Sequence, residues 1–265
     1  MIETLTTNPL NTLLLSLADD EFILGYRNSE WTGIAPLLEE DVAFSSMAQD
    51  EIGHARLMYE MLAERTGVPA DKIAYARQPH EFLHCQMMER RKLDWAHALA
   101  RQFLYDTADH VRLDALSHCQ YEPLANATQK IIREEKYHLM HGDMWLNRLA
   151  TWSEESKGRL EAVLTALWPD ALGIFEELPG EAQLLEEGIL PSSMASLQSA
   201  WLEQVAPYFY NLDLPFPAEK DERTGLYISS VQPAYGGRQG THTEEFTTLW
   251  EEMTSVYRLE PEAVW

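Results

Sequence analysis

Two stretches of this chain carry apolar residues at the spacing of one helix face, and each breaks that face in the same way. Residues 44–61 present Phe44, Met47, Glu51, His54, Met58 and Met61; residues 131–149 present Ile131, Glu135, His138, Gly142, Trp145 and Leu149. Residues three or four apart share a helix face. In both stretches a glutamate, and a histidine three residues later, therefore project where apolar side chains otherwise lie. A carboxylate aimed at a core costs on the order of several kcal/mol unless something compensates it. A metal ion held by carboxylate oxygen and imidazole nitrogen is one compensation. A hydrogen bond between each histidine and its own glutamate is the blander one.

The arrangement recurs at a larger scale. Glu21 lies in the stripe Leu14, Leu17, Leu24 and precedes Glu51 by 30 residues. Asp106 follows Leu99 and Phe103 and precedes Glu135 by 29. The chain thus holds two copies of one pattern: carboxylate, about 30 residues, Glu-x-x-His. A helix bundle that binds two metal ions takes one carboxylate from each of two helices and a Glu-x-x-His pair from each of the other two. The candidate ligands are Glu21, Glu51, His54, Asp106, Glu135 and His138. Two positions have competitors. Glu21 closes the acidic run Asp19-Asp20-Glu21, for which a solvated face is the lesser alternative. Asp109 lies one turn beyond Asp106, with His110 beside both. A third pair, Glu81 with His84, follows Pro79 outside any long stripe and reads as incidental; His118 and His141 read as surface or outlying residues.

Helical periodicity dominates the chain and strand signals are scarce. Asn8-Pro9 is a cap and first helical residue. The first helix ends near Asn28-Ser29, before Thr32-Gly33. A second opens at Pro36 and runs to Thr66-Gly67. Residues 68–93 read as irregular around Pro69 and Pro79. A third helix covers Asp94 to Cys119, Glu122-Pro123 breaks it, and a fourth runs from Leu124 to Leu149. Ser153-Glu154-Glu155 caps a fifth that reaches Trp168-Pro169. Residues 234–242, AYGGRQGTH, form a loop, and a last helix starts near Thr243. The expectation is an all-α fold: one four-helix bundle over about 9–150 with a helical extension over 151–265, the whole chain forming one domain. Gly53 and Gly142, inside helices at a cost of about 1 kcal/mol each against alanine, suggest close helix approach.

Composition removes several classes. With 43 acidic and 20 basic residues the net charge is −23, which repels nucleic acid and anionic membrane surfaces. No apolar run approaches the ~20 residues of a membrane span. The N-terminal stretch lacks the basic start of a signal peptide. Two separated cysteines, Cys85 and Cys119, make no disulfide framework, and suit a reducing cytoplasm.

The ligand pattern resembles the ferritin-like di-iron carboxylate proteins. The stretches LADDEFILGYRNSEWTGIAP, ARQFLYDTADH, EEKYHL and GGRQGTHTEEFTTLWEEM, together with the ending Leu259 to Trp265, resemble more narrowly the C-type (PaaC) subunits of bacterial phenylacetyl-CoA 1,2-epoxidase. The likeness runs from about residue 10 to the end, and GGRQGTHTE is its most specific piece. It implies a multicomponent oxygenase of aerobic phenylacetate degradation. In it a ferritin-like catalytic chain of the A type (PaaA) carries the di-iron centre, and the C-type chain is its structural partner. Familiar C-type chains have non-ligands where Glu21, Glu51, His54, Glu135 and His138 stand here. A di-iron centre, or less readily a di-manganese one, is therefore implied for this chain too. The alternative is a stand-alone di-iron or di-manganese oxygenase or oxidase. Homo-oligomerisation stays open. Arg238, in the glycine-rich loop, reads as a loop ion pair, with a phosphate or a partner carboxylate as the other options.

Overall fold

The computed structural model describes residues 2–261; positions 262–265 of the C-terminal resemblance lie outside the described residues. Among the described residues the fold is all-α apart from one short β-ribbon. It divides into two compact units. One comprises residues up to Arg91, Leu178–Leu184 and the chain from Tyr235 onward; the other comprises Lys92–Glu177 and Leu185–Ala234.

The first unit is built on a helical hairpin. Helix α1 (Pro9–Ser29) starts where Asn8 Oδ1 accepts the Leu10 N–H at 2.9 Å, with Pro9 pre-set for the first turn. Helix α2 (Leu38–Thr66) ends at Gly67, whose φ of +74° is the left-handed stop that glycine adopts without strain. The two run antiparallel. Arg65 Nε donates to Asn11 Oδ1 at one end, Tyr59 OH reaches Asp19 midway, and Gly25 meets Ala48 at the other end. Every residue of α1 except Pro9, Tyr26 and Ser29 is buried, so it is covered all round rather than on one face. Pro36 lies in the link, and α2 begins two residues later than expected. Residues 68–93 are not irregular throughout: they hold short helical turns at Ala70–Tyr75, Pro79–Glu81 and Gln86–Glu89.

The second unit contains the other hairpin. Helix α3 (Trp95–Leu116) is capped by Asp94, whose Oδ1 accepts the His97 N–H at 2.8 Å. Helix α4 (Glu122–Trp152) places Pro123 in its own first turn, so Glu122-Pro123 opens the helix instead of preceding it. Contacts of Trp95 with Trp145, Phe103 with Gly142 and Ser117 with Gln129 make this pair antiparallel as well. Helix α5 (Glu154–Leu172) starts from the Ser153 cap and continues past Pro169. Helix α6 (Met194–Asn211) sends Trp201 inward, where its indole N–H donates to Thr107 Oγ1 at 3.0 Å; Trp168 and Phe175 pack against its ring, and Phe209 against Trp168. Strands β1 (Ala218–Lys220) and β2 (Tyr227–Ser229) pair antiparallel. Helix α7 (Glu244–Met253), followed by a short helical turn at Ser255–Leu259, belongs to the first unit.

The close helix approach falls at a glycine other than the two expected. A Cβ on Gly25 would lie 2.8 Å from Ile52 Cγ1, 3.0 Å from the Ala48 carbonyl and 3.1 Å from Glu51 Cβ. Gly53 is exposed and open, and a Cβ on Gly142 would make ordinary contact with Phe103. Alanine at Gly53 is therefore expected to raise stability by up to about 1 kcal/mol. Alanine at Gly25 is expected to lower it by about 1–3 kcal/mol through overpacking. Urea unfolding of the two variants tests this, and the same sign for both would refute it.

Candidate metal centre

The acidic run in α1 is wholly buried, and its three members part company. Successive helix residues point about 100° apart, so each meets a different partner. Asp19 accepts from Arg77 through both guanidinium nitrogens, from Tyr59 OH at 2.6 Å and from the Leu83 N–H at 2.7 Å. Asp20 takes a two-pronged contact from Arg238, at 2.8 and 2.7 Å, and the Cys85 N–H at 2.8 Å. These are buried ion pairs that tie later segments of the unit to α1. Arg238 thus has its carboxylate inside its own chain, in a buried pair. Glu21 turns toward α2 instead.

There it meets the first Glu-x-x-His pair. His54 Nδ1 lies 3.5 Å from Glu21 Oε2 and 3.7 Å from Glu51 Oε2, and all three side chains are almost fully buried. One ligand atom from each lies within 4.8 Å of the others. Burial alone would lower the His54 pKa, but its hydrogen bonds and charge interactions with Glu21 and Glu51 overcome that and push it up to about 12. The imidazolium is the positive charge that two buried carboxylates require. A divalent ion meets the same requirement and displaces the proton.

That coupling has a sign. The folded-state pKa of His54 is raised above the ordinary 6.5. Its contribution to stability is therefore full below about pH 6.5 and declines as pH rises toward the folded value. In chelator-treated protein the melting-temperature advantage of wild type over His54→Gln is expected to shrink steadily from about pH 6.5 to about pH 9. An advantage that stays level or grows would refute the assignment.

The second unit brings together the other pair. His138 Nδ1 is 3.0 Å from Glu135 Oε1, both buried on α4. On α3 the two competing aspartates have different occupations. Asp109 Oδ1 takes Arg112 Nη2 at 2.5 Å and Nε at 3.1 Å, and Arg112 also reaches Tyr105 OH. Asp106 Oδ1 accepts an amide contact, from Gln102 Nε2 at 2.6 Å. His118 is exposed, and half-buried His141 lies beside Trp145. Glu81 and His84 have different partners. Glu81 accepts the Gln78 and Ile2 N–H groups, while His84 turns to Glu89.

Buried carboxylates and imidazoles at helical i, i+3 spacing, in two hairpins of one sequence pattern, are a donor set that fits iron or manganese. A family model for phenylacetic acid catabolic proteins matches residues 1–265. The chain belongs to this family. Among curated proteins of Escherichia coli K12 it is similar to the C subunit of 1,2-phenylacetyl-CoA epoxidase, with 30% identity over 97% of this chain and all of that one. It is also similar to the A subunit of the same enzyme, with 26% identity over 76% of this chain and 66% of the relative. The all-α architecture expected from the helix pattern, and the ferritin-like class implied by the resemblance, agree with membership in this family. Among the described residues no helix is long and apolar enough to cross a membrane.

Two features of the family member's site were out of reach of sequence reasoning. Gly25, one turn after Glu21, lets α1 approach the α2 backbone at the level of Glu51. Asp19 and Asp20 are claimed by Arg77 and Arg238, residues 58 and 218 positions away in the chain. A glycine inside a leucine-rich helix was the local signal for the first; for the second, Arg238 read as an ion-pairing residue, but its partner Asp20 lies 218 positions away.

Proposed function

We propose that this chain is the C-type partner in a phenylacetyl-CoA epoxidase and that, unlike a purely structural partner, it binds metal. The observation that carries this reading is the end-to-end match to the C subunit of the E. coli enzyme, which leaves no part of that relative uncovered. The weaker and less complete match to the A subunit supports a related second chain as its partner. The ligands we assign are Glu21, Glu51 and His54 from the first hairpin and Asp106, Glu135 and His138 from the second. They fit a di-iron centre, with di-manganese as the runner-up. The observation supporting metal is the Glu21–Glu51–His54 cluster, where burial of two carboxylates already forces a positive charge onto His54. The stand-alone oxygenase is not favoured.

When bound, such a pair of ions supplies redox chemistry toward O2. The chain's own residues do the rest. Glu21 and Glu51 would hold an ion and balance its charge, and His54 would have to be unprotonated to join them as a ligand. Phe44, Met47 and Met58, buried on the same α2 helix as Glu51 and His54, make the surroundings of that helix face apolar. Asp109 stays with Arg112 and takes no part.

The test is assembly and turnover. The chain is expected to co-purify with an A-type partner. With phenylacetyl-CoA, O2 and a reductant, epoxide is expected only when that partner is present. Robust epoxidation by this chain alone would overturn the reading in favour of a stand-alone oxygenase.

A further inference from the structure

A second cluster of metal-ligand type lies in the first unit, among residues the proposed centre does not use. His84 and Glu89 come from the segment between the hairpins, and His242 from the loop before α7. His84 Nε2 and His242 Nδ1 each lie 3.3 Å from the same oxygen, Glu89 Oε2. The His84 and Glu89 side chains are fully buried and that of His242 nearly so.

An outer hydrogen bond fixes which nitrogen of His242 faces the cluster. His242 Nε2 donates to the Phe82 carbonyl at 2.9 Å, so the neutral ring presents an unprotonated Nδ1 to Glu89. That nitrogen makes no hydrogen bond, although it is 3.3 Å from the carboxylate. Two electron-rich atoms therefore face each other away from water, an arrangement that a cation relieves. Glu89 Oε1 is held separately by the Thr243 N–H at 2.9 Å, leaving Oε2 for the cluster. Outer contacts of this kind, a backbone carbonyl on a histidine and a donor on a carboxylate, orient the ligands of metal sites.

The chemistry and the spacing agree with one class of ion. Neutral imidazole nitrogen and carboxylate oxygen are ligands that suit such an ion, and one atom of each of the three residues lies within 4.8 Å of the others. A tetrahedral ion with bonds of about 2.0–2.1 Å has ligand atoms about 3.3–3.4 Å apart, matching the two measured edges.

We propose that His84, Glu89 and His242 form a separate two-histidine, one-carboxylate site for a single divalent transition ion of the zinc type. The ion clamps the chain's C-terminal loop to the segment before α3. That loop is already seated closely: Cβ atoms on Gly237 and Gly240 would lie 2.3 Å from the His84 carbonyl and 2.2 Å from the His80 carbonyl. The two rings are stacked, with centroids 4.1 Å apart and planes 12° from parallel. Parallel rings do not point their lone pairs at one shared atom, so loading splays the stack.

The experiment uses the full chain with Glu51→Gln and Glu135→Gln, which disables the proposed central ligands first and keeps the two sites distinguishable. Cobalt(II) is added as the probe, and bound metal and visible ligand-field bands are recorded. One equivalent with a four-coordinate spectrum is expected, with affinity falling at least about tenfold on adding Glu89→Gln. His84→Asn serves as the second variant if Glu89→Gln does not fold. No cobalt retained by the double variant, or retention unchanged by Glu89→Gln or His84→Asn, would overturn the site and leave a hydrogen-bonded ion pair in its place.

Discussion

Replacing Glu51 by alanine is expected to strip the proposed di-metal centre, with a loss beyond the ~10–100-fold that changes around a ligand produce. Glu51 has no exposed surface, belongs to the cluster with Glu21 and His54, and its Cβ stands where Gly25 lets α1 come close. Alanine removes the carboxylate without adding bulk, so helix packing survives while the donor set is broken. The charge balance changes as well, because His54 loses one of the two carboxylates that keep it protonated. Glu51→Gln separates the effects: it keeps the shape and the space filled but abolishes the negative charge. Elemental analysis of iron and manganese per chain, after purification under reducing conditions, is the readout. Because a cluster at His84 is independent, the count is taken on iron and manganese and not on zinc. Metal content unchanged by Glu51→Ala would remove Glu51 from the centre. If metal is lost but epoxidation in the presence of the A-type partner persists, the ions in this chain serve structure and not turnover.

The aspartates of α3 are expected to separate sharply. Asp109→Ala leaves the Arg112 guanidinium buried without its carboxylate. Breaking one partner of a buried pair costs about 3–5 kcal/mol, a large share of the stability of most single domains. Tyr105 OH, a further contact of Arg112, carries no charge. Asp106→Ala instead deprives the Gln102 amide of one acceptor, a cost of about 1–3 kcal/mol, and removes the ligand we assign. Urea unfolding and metal analysis of both variants are therefore predicted to cross. Asp109→Ala unfolds early, whereas Asp106→Ala stays folded and is depleted in metal. If only Asp109→Ala loses metal while both unfold alike, the ligand on α3 lies one turn further along.

Much of the scaffold was readable because helix ends are local chemistry. Asn8 before Pro9, Asp94 before Trp95, Ser153 before Glu154 and Gly67 after Thr66 act through hydrogen bonds or dihedral preferences spanning a few residues. The Glu-x-x-His faces were readable for the same reason, since three residues of helix bring side chains together whatever lies beyond. Errors arose where one residue type serves two local roles. Pro123 reads as a break, yet in a first turn its missing N–H costs nothing. Pro169 reads as a stop, yet α5 carries it three residues before its end.

What a carboxylate means was not local. Asp19, Asp20 and Glu21 are consecutive and chemically alike, and nothing in their neighbourhood says which will be neutralised by arginine and which will face a histidine. Arg77, Arg238 and His54 decide it, and they arrive by the folding of segments far apart in sequence. Gly25 and the His84–Glu89–His242 cluster belong to the same class: a close approach exists only once two backbones have packed, and ligands from distant segments meet only once a loop is seated. The sequence by itself determined the helices, the paired motif and the family likeness, because these depend on spacing along one chain. The tertiary structure alone decided the partner of each buried charge, because desolvation penalties are met by whichever opposite charge the packing brings within reach.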